Sequence, residues 1–423
     1  MIAQQLPFFK IERTKLRVSS FCGLPLIYYL AHWLAIPEKL ERALLLKKRR
    51  RGYSVSHLLM SLMLLIIGGG ERLDDIRLLR ADPALKALTD LNTIPDATTL
   101  GRLLRRFKQP DLTCLAGIST KLATRIHRHI SPEQATLDVD STVVVAQKEE
   151  AKMSYLGKPG YSPIFAFLAE TKTVLRMEFR PGNASPRADA PGFLSRSLAD
   201  LAGSIDRVYL RSDSAFYQAR VMDYCQENNL GFTITAEKDK AVMALISSLP
   251  EEEWRPFDDQ ELAETVHTLD DSEYAYRLLV LRRPKEQRDL FHPYNYGAII
   301  TNREEDAGYL VSWHRKRADC ENIIKEEKGG FALEHLPCGS FEANSAFAHI
   351  AVLAYNLVQA MKWLLLPESW RGLTIKSLRF RLLRLGGVVV RHARSLILKL
   401  PEGYHYYNLY RSLAYRVRGL CLI

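Results

Sequence analysis

The chain has 423 residues, 47% hydrophobic and 25% charged, a balance that excludes a disordered or fibrous protein and suits two or three folded domains. Its net charge of +11 is unevenly spread: residues 1–130 hold 22 Lys/Arg against 10 Asp/Glu, residues 371–423 hold 11 against 1, and residues 131–370 hold 26 against 37. Two basic ends around an acidic centre suit a protein that grips polyanions at its ends, with central carboxylates available for metal ions.

The six cysteines lie far apart and form no CxxC pair, so a zinc knuckle and a disulfide framework are excluded and a reducing cytoplasm is expected. The N-terminus has no signal-peptide pattern. The longest apolar run, residues 58–67, is too short to span a bilayer and is expected to be a buried helix, so no membrane partner is expected. No phosphate-binding P-loop pattern occurs.

In chain order, residues 1–130 read as all-helical. Apolar spacing predicts a helix over "LPLIYYLAHWLAI", then a basic knuckle "KKRRR" at 47–51, then the buried helix. Further on, "IPDATTLGRLLRRF" reads as a turn, an N-cap and a helix. Its Arg102, Arg105 and Arg106 fall on or near one exposed face, with Leu100, Leu103, Leu104 and Phe107 toward the core. Clustered Arg on a short helix after a tight turn fits a helix-turn-helix reader of DNA. A helical bundle with a charged exterior fits the same pattern.

From residue 134 the texture becomes β. "ATLDVDSTVVVA", "SPIFAFLAE", "TVLRMEFRPGN", "RVYLRSD" and "GFTITAE" are predicted strands, with helices over 189–203 and 216–229. The order βββαβαβ implies a mixed sheet with helices on its faces. Residues 237–303 break this rhythm and read as a β-rich insertion with one short helix. A long helix over "FEANSAFAHIAVLAYNLVQAMKWLLL" and a basic tail, 371–423, follow.

The first strand puts Asp138 and Asp140 on one face, with Leu137 and Val139 on the other. The fourth strand ends in "RSDSAF", placing Asp213 at a carboxyl end, where ligand groups of α/β sheets gather. If strands one and four are neighbours, Asp140 and Asp213 approach each other. Like charges brought together need a cation, and hard oxygen ligands select Mg²⁺ or Mn²⁺. Two such ions about 4 Å apart suit phosphodiester displacement. For any one of these acids alone, a strand-end cap is an equal explanation.

The third acid comes from "HRKRADCENIIKEEKGG", which reads as one helix ending at Gly329-Gly330. His314, Arg317, Glu321 and Lys328 are spaced by three, four and seven residues, which returns them to one helical stripe. A solvated face with i,i+4 ion pairs would give the same spacing. Together with "DVDST", "LRSDSAFY" and a β insertion before the last acid, however, the stripe resembles the signature of bacterial insertion-sequence DDE transposases. Their Y-x2-R-x3-E-x6-K pattern is met at Arg317, Glu321 and Lys328, with His314 in place of Tyr. The resemblance covers almost the whole chain.

It implies a ribonuclease-H-like mixed sheet with helices on both faces, a β-rich insertion before the last acid, and an all-helical N-terminal DNA-binding region. The expected division is 1–130 DNA binding, 131–236 and 304–370 the two parts of the core, 237–303 the insertion and 371–423 the basic C-terminal region. Asp140 (or Asp138), Asp213 and Glu321 would hold two Mg²⁺ or Mn²⁺ ions and act in catalysis. Arg317 and Lys328 would hold phosphates, His314 would contact terminal DNA, and Trp254 in the insertion would stack on an unpaired base, though a loop Trp covering the core fits equally. Tyr161 and Asn183, in Pro-Gly turns, are candidates for the active-site rim, though turn chemistry explains Pro-Gly just as well. The implied function is an insertion-sequence transposase that binds terminal inverted repeats of double-stranded DNA. It would cleave at the element ends and join the 3′-OH to target DNA, as a homodimer on DNA in the nucleoid-associated bacterial cytoplasm. The alternatives are an inactive DNA-binding regulator and a ribonuclease-H-like nuclease without strand transfer.

Overall fold

A computed structural model describes residues 10–46, 52–201, 205, 207–285, 293–393 and 395–420. The basic run at 47–51 lies outside the described residues. The N-terminal part is a short strand β1 (Arg17–Ser19) followed by helices α1 (Leu24–Trp33), α2 (Ile36–Ala43), α3 (Val55–Ile67), α4 (Ile76–Arg80), α5 (Pro83–Leu88), α6 (Ala97–Leu104) and α7 (Gln109–Ile130). The run at 58–67 is the buried helix α3, started by Ser54, whose hydroxyl accepts from the His57 amide. No helix among the described residues is long and apolar enough to cross a membrane.

The central sheet is built from β2 (Ala135–Ser141), a small side sheet of β3 (Val144–Val145), β4 (Lys152–Met153) and β5 (Pro159–Tyr161), then β6 (Ile164–Leu168) and β7 (Thr173–Glu178). It continues through α8 (Ala190–Ala199), β8 (Val208–Ser212), α9 (Ala219–Glu227) and β9 (Gly231–Thr235). Strand β2 pairs antiparallel with β6, which pairs antiparallel with β7; on its other side β2 pairs parallel with β8, and β8 with β9. Three antiparallel strands beside two parallel ones, with helices on both faces, is the ribonuclease-H-like arrangement.

Residues 237–303 do not form a separate body. After α10 (Lys240–Ser248), strands β10 (Arg255–Phe257), β11 (Gln260–His267), β12 (Tyr276–Pro284) and β13 (Tyr294–Thr301) extend the same sheet, β13 pairing antiparallel with β9. The result is nine strands in the order β10-β11-β12-β13-β9-β8-β2-β6-β7. Side-chain alternation sorts the faces. Leu137, Val139, Ala166, Leu210, Phe232 and Ile234 pack with α8, α9 and α10 on one face. Phe165, Phe167, Val174 and Met177 meet α7 and a long helix on the other.

That second face also receives α11 (Ala307–Arg315), α12 (Ala318–Lys325) with a final π-helical turn over Glu326–Gly330, and the long helix α13 (Phe341–Leu364). Asn356 of α13 fixes the β7 edge: its amide accepts from the Val174 N–H at 2.9 Å and donates to the Val174 carbonyl at 2.8 Å. An edge strand is thereby capped by a side chain that imitates a neighbouring strand.

The tail contributes α14 (Ile375–Leu378), β14 (Gly387–His392), β15 (Ser395–Lys399) and α15 (Tyr407–Leu420). It interlocks with the N-terminus. Strand β14 pairs with β1, the Cys22 and Gly23 amides donate to the Leu385 and Leu383 carbonyls, and the Tyr410 hydroxyl donates to the Cys22 carbonyl at 2.6 Å. A Cβ on Gly23 would lie 2.1 Å from the Leu382 carbonyl, so this crossing needs glycine. One continuous core runs through residues from α1, α3, α7, α13 and the tail. The expected cuts at 130 and 370 therefore separate sequence textures, while the apolar faces on either side of each cut are buried against one another.

Candidate active site

Parallel pairing places Val139 of β2 opposite Ser212 of β8. The next residues along the two strands are Asp140 and Asp213, both on the face covered by α12. With Ser141, Thr142, Arg317, Glu321, Ile324, Lys325 and Lys328 they line an open pocket of about 340 Å³. Asp140 accepts from the Ser141 amide at 2.7 Å, and Asp213 accepts from the Ala215 amide at 3.0 Å as the cap of a short helical turn. Burial, then the charge of Asp213, pushes the Asp140 carboxyl up to about 6, with Arg317 acting in the opposite direction. Burial likewise raises Asp213.

Arg317 stands between the acids. Its guanidinium donates to Asp140 Oδ2 at 3.4 Å and to Glu321 Oε1 at 3.3 Å. Lys328 donates to the Val143 carbonyl at 3.1 Å and lies 3.7 Å from Glu334. Lys325 faces the same pocket. Sequence spacing could have found it, since it lies one helical turn beyond Glu321.

Asp138 is spoken for. Arg211 of β8 donates to its two oxygens at 2.6 and 2.7 Å and to the Trp313 carbonyl at 2.7 Å, and the pair is almost wholly buried. Asp138 is committed to this interior ion pair and does not line the pocket, whereas Asp140 does.

The remaining candidates lie away from this pocket, and the signature segment differs from the sequence reading. The stretch 314–330 is not one helix: α11 ends at Arg315, α12 starts at Ala318, and the break turns His314 away from the Arg317–Glu321 side. His314 is 7% exposed, with Nδ1 2.7 Å from Thr233 Oγ1 and Nε2 3.0 Å from Thr235 Oγ1. Burial, with help from the charges of Arg317 and Arg211, lowers it to about 3. A neutral ring has one N–H, so it donates to one threonine and accepts from the other. This histidine fastens α11 to β9, with both ring nitrogens engaged inside the fold.

Trp254 is also interior, packed beside Tyr296 with the Arg282 guanidinium 4.2 Å over its ring. The guanidinium covers one face of the indole, which is 9% exposed. Tyr161 is fully buried beneath α13 and receives a hydrogen bond from Asn344, while Asn183 is exposed but does not line the pocket.

Arg102, Arg105 and Arg106 are exposed at the end of α6, whose Leu100, Leu103 and Leu104 are buried. They form a separate basic strip and do not line the carboxylate pocket.

The donor chemistry suits a divalent cation: three carboxylates and no softer ligand, two of them partly desolvated on adjacent strand ends. Among the described residues no three acidic, His or Cys groups already stand at metal-holding distances, and Arg317 occupies the space between Asp140 and Glu321.

A mixed ribonuclease-H-like sheet with two strand-end aspartates and a helix-borne glutamate over them is the arrangement expected of a DDE domain. The chain belongs to the family described as Transposase DDE domain group 1, whose profile matches residues 10–421, and members generally use divalent metal ions. Among solved structures it is similar to a piggyBac transposase in a synaptic complex with hairpin DNA, at 11% identity and a TM-score of 0.47 over 96% of this chain and 82% of that one. No curated protein sequence matches it.

Proposed function

We propose that this protein is the transposase of an insertion sequence. It would bind the terminal inverted repeats of its element in double-stranded DNA, cut at the element ends, and join the resulting 3′-OH to target DNA. The observation that carries this reading is the convergence of Asp140, Asp213 and Glu321 on one open pocket rimmed by Arg317, Lys325 and Lys328.

Asp140, Asp213 and Glu321 would hold two Mg²⁺ or Mn²⁺ ions. Such ions supply Lewis-acid activation of the attacking oxygen and charge stabilisation at the leaving oxygen. Arg317 would grip a phosphate with its fork once released from Asp140 and Glu321, and Lys325 and Lys328 would add point charges. Seated at adjacent strand ends, Asp140 and Asp213 would contribute position as well as charge. The basic strip on α6 would carry sequence-independent grip on the duplex, and two protomers would bridge two element ends.

The test is incubation of the full chain with Mg²⁺, a plasmid carrying the gene's flanking DNA and a second target plasmid. Cleavage at the flanks and covalent joining are expected. Cleavage without joining would leave a nuclease, and binding without cleavage a regulator.

A further inference from the structure

A second, larger cavity of about 1440 Å³ lies on the far side of α12, walled by that helix, its π-helical turn, α13 and α14. It is separate from the carboxylate pocket, and Lys325 borders both. Eight Lys or Arg side chains line it against three carboxylates. Two of those carboxylates are engaged: Asp319 pairs with Lys172 at 3.0 Å, and Glu326 accepts from the Ile375 amide.

The group that asks for a ligand is Lys362. It projects from α13, is 2% exposed and lines the cavity, and among the described residues its ammonium makes no hydrogen bond or ion pair. An interior cation without a hydrogen-bonded partner is costly: burial lowers its proton affinity, and the charge of Glu326 acts in the opposite direction without pairing with it. An anion in the cavity would remove that cost. At the rim, Phe380 is 88% exposed between Arg379 and Arg381, an aromatic surface with no covering contact. Arg379 itself is a staple, donating to the carbonyls of Ile66, Ile67 and Gly330, so the rim is fixed to the end of the signature segment.

A cationic groove with one exposed aromatic ring is the chemistry that holds unpaired nucleic acid. We propose that this cavity seats the phosphodiester backbone of a single-stranded DNA segment running behind α12, with Lys362 facing a phosphate and Phe380 stacking on a base. The proposal rests on the DNA-processing reading above, and it assigns the path of a strand outside the carboxylate pocket.

The test uses the full chain in metal-free buffer with labelled oligothymidylate and a duplex of equal length, titrated over a salt series. Phe380→Ala should weaken oligothymidylate binding by about five- to a hundredfold while changing duplex binding less than about twofold. Lys362→Gln should lower the log–log salt slope for the single strand by about 0.7. It removes a buried charge, so its melting temperature should be equal or higher; should it fail to fold, Arg381→Gln, an exposed rim change, takes its place with the same expected slope. Unchanged oligothymidylate binding in these variants, with the unaltered chain binding normally, would overturn the cavity assignment alone. An equal loss on the duplex would overturn its single-stranded character. If the unaltered chain bound neither probe, the DNA reading of the whole protein would fall with it.

Discussion

Asp138 and Asp140 are two residues apart on one strand, yet their surroundings give them different work. Asp138 is neutralised in the interior by Arg211, so Asp138→Asn should strand a buried guanidinium and cost about 3–5 kcal/mol in a urea titration. Asp140 should behave in the opposite sense. Its folded value is raised from 3.8 to about 6, so the unbound site carries the desolvation cost in full above pH 6 and not at all below 3.8. Asp140→Asn should therefore stabilise the metal-free chain by about 1–3 kcal/mol at pH 8 and leave it nearly unchanged near pH 4. A destabilised Asp140→Asn at pH 8 would mean that its bonds to Ser141 and Arg317 outweigh burial. His314 gives a third residue-scale expectation. Tyr matches the family pattern there, but between Thr233 and Thr235 it would overfill the α11–β9 contact. His314→Tyr should lower stability by about 1–3 kcal/mol, read from the melting curve. A Tyr variant as stable as the parent would show that the ring has room to turn outward.

At the scale of elements, the signature segment shows what sequence spacing can and cannot reveal. The i,i+4 relation of Arg317 and Glu321 was legible, because both lie at or within α12 and helical geometry alone joins them. The break after Arg315 was not legible, since nothing between Trp313 and Ala318 is a helix breaker. The break is set by tertiary contacts, above all the threonines of β9 under His314 and Arg211 under the Trp313 carbonyl. The meeting of Asp140 and Asp213 was foreseeable from strand alternation and a βαβ order. The capture of Trp254 by Arg282 was not, because that contact requires knowing that β12 and β13 extend the main sheet. The π-helical turn adds a testable feature. Glu327 is fully buried there with both oxygens unbonded, and burial raises its carboxyl well above 4.5. In the unfolded chain it ionises near 4.5, so folding becomes less favourable as pH rises above that value. Glu327→Gln should thus gain stability over the parent between pH 5 and 8, by a margin that grows with pH. A constant margin across that range would place an unseen partner on Glu327.

For the whole molecule, the chain ends form one body. The apolar faces of α3 and α7 are buried against α13, and among the described residues β1 pairs only with β14 of the tail. Residues 1–130 expressed alone should therefore show no cooperative melting transition, although their charge surplus would still bind DNA weakly in low salt. A sharp transition from that fragment would restore an independent N-terminal domain. The described N-terminal and tail segments thus pack together, and on the proposed function they would grip DNA while the carboxylates of the central part carry the chemistry. The most direct test of that account is cleavage and binding measured side by side on flank-containing DNA with Mg²⁺, for the parent, Asp140→Asn, Asp213→Asn and Glu321→Gln. Each variant should bind within a fewfold of the parent and lose cleavage by at least about a thousandfold, a loss of about 4 kcal/mol in transition-state stabilisation. Cleavage at parental rate by any one of the three variants would contradict the assignment of that acid, and by all three the carboxylate site itself.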